Sequence, residues 1–374
     1  MSKFFSVSHN SKKSKARLGK ITTAHGVINT PSFVAVGTKG TVKALTPSIL
    51  KDIGTQVAFV NTYHLVTHPG AEIIRQAGGV HKYSKLDIPL MSDSGGFQVF
   101  SLAQNTRKAR VRADEEPLVV KISEDGVKFR STYDGRLIEF TPEKSMEYQA
   151  EIGADINMAF DECTYYPATH EYAQKAMART HSWLERCIEY RNEKPSKNQY
   201  LYGVIQGATF KDLRRQSAEF VVSKNTPGVA IGGVSVGETK KEMREQVEWV
   251  LDYLPKDRPV HLLGVGQLDD IIDLVKYGID TFDCVEPTRL ARMGTIYQWG
   301  KGEIDITKTV FKNNLEAVDI NCKCYTCLSF TKSYLHHLFK QREILGYTLS
   351  TIHNLAIMET LFAQIREEIA QGSV

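Results

Sequence analysis

Tyr200-Leu-Tyr-Gly-Val-Ile205, an apolar run of strand length that closes on Gln206-Gly207, is the segment from which the fold can be read. The same design recurs on both sides of it. Ile156-Asn-Met-Ala-Phe160 ends in Asp161, Gly228-Val-Ala-Ile231 in Gly232-Gly233, Val260-His-Leu-Leu263 in Gly264, and Thr281-Phe282 in Asp283. Earlier, Ile88-Pro-Leu-Met91 runs into Ser92-Asp93. Short apolar runs alternating with amphipathic stretches are the rhythm of strand-helix units around a parallel sheet. The repeated closure on a polar group or glycine predicts an α/β fold of the (β/α)8 TIM-barrel type, in which the C-terminal strand ends converge on one ligand-binding face. Thr141-Pro142-Glu143 reads as a helix start and Gly153 as its stop. Asp125-Gly126 and Asp134-Gly135, flanked by alternating residues such as Val127-Lys-Phe-Arg-Ser131, predict an antiparallel hairpin insertion between residues 110 and 140. The spacing from about Leu335 to Ile369 is helical.

The bulk properties narrow the class without naming a partner. A chain of 374 residues, 42% of them hydrophobic, can bury a large core. Its 47 basic and 43 acidic residues leave a net charge of +4, so any surface for a polyanion must come from local clustering. Of six cysteines, Cys163, Cys187 and Cys284 form no disulfide pattern, and Met1-Ser-Lys-Phe-Phe-Ser6 lacks an apolar signal core. No run approaches the roughly 20 apolar residues that cross a bilayer. A reducing cytoplasm, with no membrane association, is the expected location.

The strongest local signal is Cys322-Lys-Cys324-Tyr-Thr-Cys327 followed by His353. Three thiolates and an imidazole make a closed tetrahedral set for a structural zinc ion, one per chain, with no open position for chemistry. An iron–sulfur cluster prefers a fourth thiolate, which is not nearby. His336 and His337 are rival imidazoles. The domain organisation expected is one catalytic barrel over 1–374, with a zinc-binding subdomain at approximately 300–360.

Two carboxylates stand at predicted strand ends. Asp283 follows Phe282, and Asp93 lies in Ser92-Asp-Ser94-Gly95-Gly96-Phe97-Gln98, where two glycines let the backbone approach a ligand and an aromatic ring can stack on it. Opposed carboxylates are what glycosidic-bond chemistry requires, one to attack the anomeric carbon and one to handle the leaving group's proton. The pair alone fits a sugar hydrolase equally well. Asp161, Gln206 and Gly232-Gly233 add hydrogen-bonding edges and room for close approach, which suit a flat heterocycle better than a sugar ring. Arg289 and Arg292, with Lys301, Lys308 and Lys312 beyond, can meet phosphates or base edges, although an exposed basic run is more often a solvated face.

In these motifs the chain resembles the bacterial queuine tRNA-ribosyltransferases, or tRNA-guanine transglycosylases. The resemblance runs from Asn29-Thr-Pro-Ser-Phe33 through Ser92–Gln98, Met158-Ala-Phe-Asp-Glu-Cys-Thr164, Gly203-Val-Ile-Gln-Gly207, Gly232-Gly-Val-Ser-Val-Gly-Glu238, Gly264-Val-Gly266, Phe282-Asp-Cys-Val285 and Pro287-Thr-Arg289 to His353-Asn354. It implies an irregular barrel with a C-terminal zinc subdomain. It also implies exchange of guanine at the wobble position of tRNAs with GUN anticodons for prequeuosine-1, through a covalent enzyme–tRNA intermediate, in queuosine biosynthesis. By the same resemblance Asp283 is the nucleophile and Asp93 the general acid/base. The base pocket comprises Asp93, Ser94, Gly95, Gly96, Phe97, Asp161, Cys163, Gln206, Gly232, Gly233, Val236 and Leu263. Phe97 stacks on the base, and Cys163 and Val236 match the bacterial form that takes the aminomethyl base. The tRNA segments are Gly264, Val265, Gly266, Gln267, Leu268, Asp269 and Asp270, and Thr288, Arg289, Leu290, Ala291 and Arg292. Members usually act as homodimers. The chain departs from the family pattern at Leu263, where methionine is frequent, at His261, where tyrosine is common, at Gln267-Leu268, where Lys-Pro is found, and at Glu286 and Met293.

Overall fold

Side chains alternate between two cores along the short strands at the centre of the molecule, and this alternation closes the sheet. The computed structural model describes residues 3–98, 119–131 and 133–374. Three antiparallel strands come first: β1 (Phe5–Asn10), β2 (Arg17–Thr23) and β3 (Gly26–Thr30). The barrel strands β4 (Ser32–Val36), β5 (Ala58–Val60) and β6 (Leu90–Ser92) follow. An insertion then forms a second antiparallel sheet, β7 (Val119–Ile122), β8 (Val127–Arg130) and β9 (Leu137–Phe140). The barrel resumes with β10 (Ile156–Met158), β11 (Tyr200–Ile205), β12 (Gly228–Ile231), β13 (Val260–Leu262) and β14 (Thr281–Cys284), and β14 pairs in parallel with β4 to close it. The fold is thus the α/β barrel expected, and the predicted hairpin insertion carries a third strand.

In β4, Val34 joins the inner core while Phe33 and Ala35 join the outer one. In β11, Tyr202 and Val204 face in while Leu201 and Ile205 face the helices. Phe5, Ile21 and Ile28 of the first sheet belong to the same inner core as Met91, Ile156 and Ala230, so that sheet plugs the bottom of the barrel. Arg17 fixes the plug, its guanidinium making bonds of 3.0 and 2.6 Å to the buried carboxylate of Asp280 at the foot of β14. Such a buried fork-to-carboxylate pair is short and directional.

The helices supply the outer layer. Pro142–Ile152 begins as its sequence predicts, with the Thr141 side chain accepting from the Lys144 amide, and ends at Gly153 with φ 80°. The last helix, Ile344–Ala370, runs from the cysteine cluster to the barrel, where Phe362 packs on Phe33 and Phe282 at ring-centroid distances of 6.2 and 5.7 Å. Truncation of Phe362 to alanine is expected to cost about 3–5 kcal/mol. Between lie β15 (Thr295–Gln298) and β16 (Gly302–Asp305), which form a hairpin. Ile296, Ile306, Val318, Leu335, Leu338 and Leu349 give this region a small core of its own beside Cys327. Among the described residues, no helix is long and apolar enough to cross a membrane.

Candidate active site

Three carboxylates gather where barrel strands β6, β10 and β14 end. Asp93 follows β6, Asp161 lies just beyond β10, and Asp283 is the third residue of β14. The chain order of the strands round the barrel puts β4 and β5 between Asp283 and Asp93, so these two stand on different sides of the mouth.

Asp93 is held by the loop after β5. The Thr62 amide donates to Oδ1 at 2.8 Å, the Gly95 amide to the same oxygen at 3.2 Å, and Asn61 Nδ2 donates to Oδ2. The Thr62 hydroxyl returns a bond of 2.6 Å to the Asp93 carbonyl. Asn61 also caps the helix Thr62–Thr67, accepting from the His64 amide, so its orientation is fixed from both ends. Burial pushes the Asp93 carboxyl up to about 7, the Thr62 and Gly95 amides draw it down, and repulsion from Asp161 and Asp283 adds to the rise.

Asp161 Oδ1 accepts from the Ser94 hydroxyl at 2.9 Å and Oδ2 from Gln206 Nε2 at 2.7 Å; burial raises its pKa against these bonds. Gln206 is buried, yet its Oε1 has no hydrogen-bond partner among the described residues. A Cβ at Gly233, where φ is +62°, would lie 2.2 Å from that oxygen, and a Cβ at Gly96 would lie 2.4 Å from the Asp161 carbonyl. Glycine at these two positions lets the backbone close tightly on Gln206 and Asp161 beside an unspent acceptor, and such a narrow slot suits a flat ligand bearing N–H groups.

Asp283 is anchored through one oxygen. Oδ1 takes the Gly264 amide at 3.0 Å and His261 Nε2 at 3.1 Å, while His261 Nδ1 meets the Thr281 hydroxyl at 2.9 Å. With the proton on Nε2, the imidazole donates to the carboxylate and accepts from threonine. Asp283 Oδ2 has no hydrogen-bond partner among the described residues, which leaves it available to attack an electrophile.

Arg214, fully buried on the helix Lys211–Ser223, holds the glycine corner. It donates to the carbonyls of Ala208 at 2.7 Å, Gly232 at 2.6 Å and Gly233 at 2.6 Å, and to Gln246 Oε1 at 2.7 Å. Asn61, Thr62 and Arg214 are supporting residues that sequence reading missed, and His261 was singled out only as a departure from the family pattern. Of the three missed, only Arg214 carried a signal: it falls on the helix face shared by Leu213, Ser217, Ala218 and Val221, all buried.

Of the remaining residues singled out from sequence, Cys163 is buried at the same end of the barrel, and Leu263 and Val236 are half-buried there. Phe97 is 50% exposed beside the glycine pair. Gly264, Asp269 and Arg289 are exposed, and Gln267, Leu268, Leu290 and Arg292 half-buried. Val265, Asp270, Thr288 and Ala291 are buried, and Gly266 lies so close to β14 that a Cβ there would meet Cys284 at 2.4 Å. Asp270 is paired with Arg244 at 2.7 Å and Lys240 at 3.4 Å. The buried members of the two surface segments therefore anchor them, and the exposed members face outward.

The ligand atoms of Cys322, Cys324, Cys327 and His353 lie within 4.8 Å of one another. His353 Nδ1 is 3.2 Å from the Cys327 sulfur and 3.6 Å from that of Cys324, while its Nε2 meets the Tyr297 carbonyl at 2.7 Å. The carbonyl can only accept, so Nε2 carries the proton and Nδ1 offers its lone pair to the thiols, the arrangement a metal-ligating histidine needs. His336 is engaged elsewhere, with Nδ1 2.8 Å from the Ile306 carbonyl, and His337 is exposed.

A family profile described as "Queuine tRNA-ribosyltransferase" matches residues 11–374. The chain belongs to the queuine tRNA-ribosyltransferase family. It is 46% identical over 359 residues to the queuine tRNA-ribosyltransferase of Caldanaerobacter subterraneus subsp. tengcongensis, covering 96% of this chain and 91% of that protein. The relative of the same description from Aquifex aeolicus is 45% identical over 365 residues, 96% and 93% of the two chains. That from Pelotomaculum thermopropionicum is 44% identical over 368 residues, 98% and 95%. As a family member the chain is a glycosyltransferase-type enzyme, a tRNA-guanine transglycosylase.

Proposed function

We propose that the enzyme replaces guanine at the wobble position of tRNAs with GUN anticodons by prequeuosine-1, through a covalent tRNA adduct on Asp283. The observation that carries this reading is the pair of unlike carboxylates at one barrel mouth, Asp283 with an oxygen unpartnered among the described residues and Asp93 half-buried and shifted up to about 7. In the first half-reaction Asp283 Oδ2 attacks the ribose anomeric carbon, the bond to guanine breaks, and Asp93 supplies a proton to the departing base. In the second, ionised Asp93 takes a proton from the incoming base, whose nitrogen attacks the same carbon and expels Asp283. Two displacements restore the original configuration, and one glycosidic bond is exchanged for another without an external energy source.

Asp161, Gln206 and Gly233 read the base edge, Phe97 covers its face, and Ser94, Gly95, Gly96, Gly232 and Leu263 shape the slot. Cys163 and Val236 border the space for the aminomethyl group. The exposed residues of Gly264–Asp270 and of Thr288–Arg292 contact the anticodon loop. His261, in place of the family's common tyrosine, orients the nucleophile directly through Nε2, and the Thr281 hydroxyl fixes its other ring nitrogen.

The assignments of Asp93 imply opposite pH dependences for the two halves. Adduct formation needs the protonated acid, so its single-turnover rate falls as pH rises above about 7. Capture of the incoming base needs the carboxylate and slows as pH falls below about 7, which gives overall exchange a bell-shaped profile. Rapid-quench measurement of each half between pH 5 and 9 checks this; two halves with the same slope contradict it.

One zinc ion per chain held by Cys322, Cys324, Cys327 and His353 ties the hairpin and small helices before it to the final helix, a structural role. Stripping the metal with a chelator is therefore expected to lower the thermal transition and disperse the dimer at least as far as it lowers exchange. An unchanged melting curve with abolished exchange contradicts that role. A homodimer formed through this region accounts for its exposed apolar residues, Leu315, Ile320, Tyr325, Leu328 and Ile344.

The direct test of the function is incubation of undermodified tRNA with labelled guanine, followed by a prequeuosine-1 chase. Label should enter the tRNA, and the chase should remove it. Label that never enters, or that enters a tRNA whose wobble base is not guanine, contradicts the proposal.

A further inference from the structure

A second cluster of metal-ligating side chains lies at the opposite end of the barrel from the acids, and nothing in the base-exchange reading uses it. Asp155 stands one residue before β10 and is buried. Its Oδ2 accepts from the Leu90 amide at the start of β6, at 2.9 Å, which fixes the carboxylate across the feet of two adjacent strands. His25, in the turn between β2 and β3, places Nδ1 2.8 Å from Oδ1. His81, on the helix Val80–Ser84, places Nε2 3.2 Å from Oδ2. The three ligand atoms lie within 4.8 Å of one another.

Two features distinguish this cluster from an ordinary hydrogen-bonded histidine. His81 is only 9% exposed, and among the described residues its Nε2 makes no hydrogen bond of proper geometry despite lying 3.2 Å from the carboxylate. Protonated, that nitrogen has its N–H misaligned; unprotonated, its lone pair confronts a carboxylate oxygen. The two imidazole rings are also stacked, with centroids 3.4 Å apart and planes 9° from parallel. Both rings therefore crowd one carboxylate, an arrangement that a cation held among the three ligand atoms relieves.

We propose that His25, His81 and Asp155 bind a divalent ion of the zinc class, with water completing its coordination. Two imidazoles and one carboxylate suit zinc, cobalt or nickel, whereas calcium and magnesium favour all-oxygen sets. The Leu90 amide is the outer partner that orients the ligating carboxylate. Closure on the ion turns the ring of His25 out of the stack, and His25 can move because it sits in a turn with a third of its side chain exposed (33%). The bound ion clips the hairpin of the plugging sheet to β6 and β10, on the face of the barrel that serves stability and not catalysis.

The test is zinc stoichiometry of the intact protein, titrated against a chromophoric chelator after the cysteine cluster is filled. Wild type is expected to bind two ions per chain, His25→Ala and His81→Gln one each, and His337→Ala, a surface control, two. Added zinc should raise the melting temperature of wild type and of His337→Ala, but not of the other two variants. With cobalt in place of zinc at this site, weak d–d bands without thiolate charge transfer are expected. A wild type that stops at one ion under micromolar free zinc overturns the proposal, as does a second ion retained in both His25→Ala and His81→Gln.

Discussion

Asp283→Asn is expected to leave the enzyme folded and able to bind tRNA but to reduce exchange by about 10⁴-fold or more, the scale seen when a covalent nucleophile is removed. The amide keeps an oxygen in the place of Oδ1, so the bonds from Gly264 and His261 survive, and the melting temperature should change little. What is lost is the anionic Oδ2. Gel electrophoresis under denaturing conditions reads the result, since wild type should carry a tRNA-shifted band in the absence of an acceptor base and the variant none. A variant that still exchanges guanine at near wild-type rate contradicts the nucleophile assignment.

The second large effect is expected at a residue that touches no substrate. Arg214→Leu removes all the donors that fix the carbonyls of Ala208, Gly232 and Gly233 and the Gln246 amide oxygen. Each buried acceptor left without a partner costs about 1–3 kcal/mol, and some will recover water, so a net loss of about 3–5 kcal/mol of stability is expected. Loosening Gly232-Gly233 also widens the slot beside Gln206, and KM for the free base should rise more than kcat falls. Arg214→Lys should recover part of the stability and little of the affinity, because a point-like ammonium cannot span acceptors arranged for a planar fork. Urea unfolding and guanine-exchange kinetics on the two variants check both statements.

Much of this architecture was legible from the residues, and the parts that were not have identifiable reasons. Strand ends at Asp93, Asp161, Gln206, Gly232 and Asp283 could be read because a polar group or glycine after an apolar run breaks the pattern sharply. The metal quartet was legible because thiols at that spacing have few other uses. Strands β4 and β5 were not, since Ser32–Val36 and Ala58–Val60 are short and buried and carry no period by which to tell strand from helix. The first sheet alternates only weakly, and its role as a plug depends on Phe5, Ile21 and Ile28 meeting the barrel interior far along the chain. The support around the acids was hidden for the same reason. Asn61 and Thr62 reach Asp93 across about thirty positions, and His261 reaches Asp283 across a strand pair, relations that exist only once the barrel closes. Arg214 and Arg215 are neighbours of one type, and only the helical phase separates the buried one from the exposed one.

The acids at Asp93 and Asp283 differ in what holds them, and the account rests on that difference: one is set to move a proton and the other to form a bond. Mass spectrometry of the trapped enzyme–tRNA adduct, after nuclease and protease digestion, tests it most directly. The ribose remnant should sit on the peptide containing Asp283 and disappear when prequeuosine-1 is added. A remnant on Asp93 or Asp161, or active exchange with no adduct on any carboxylate, would contradict the account.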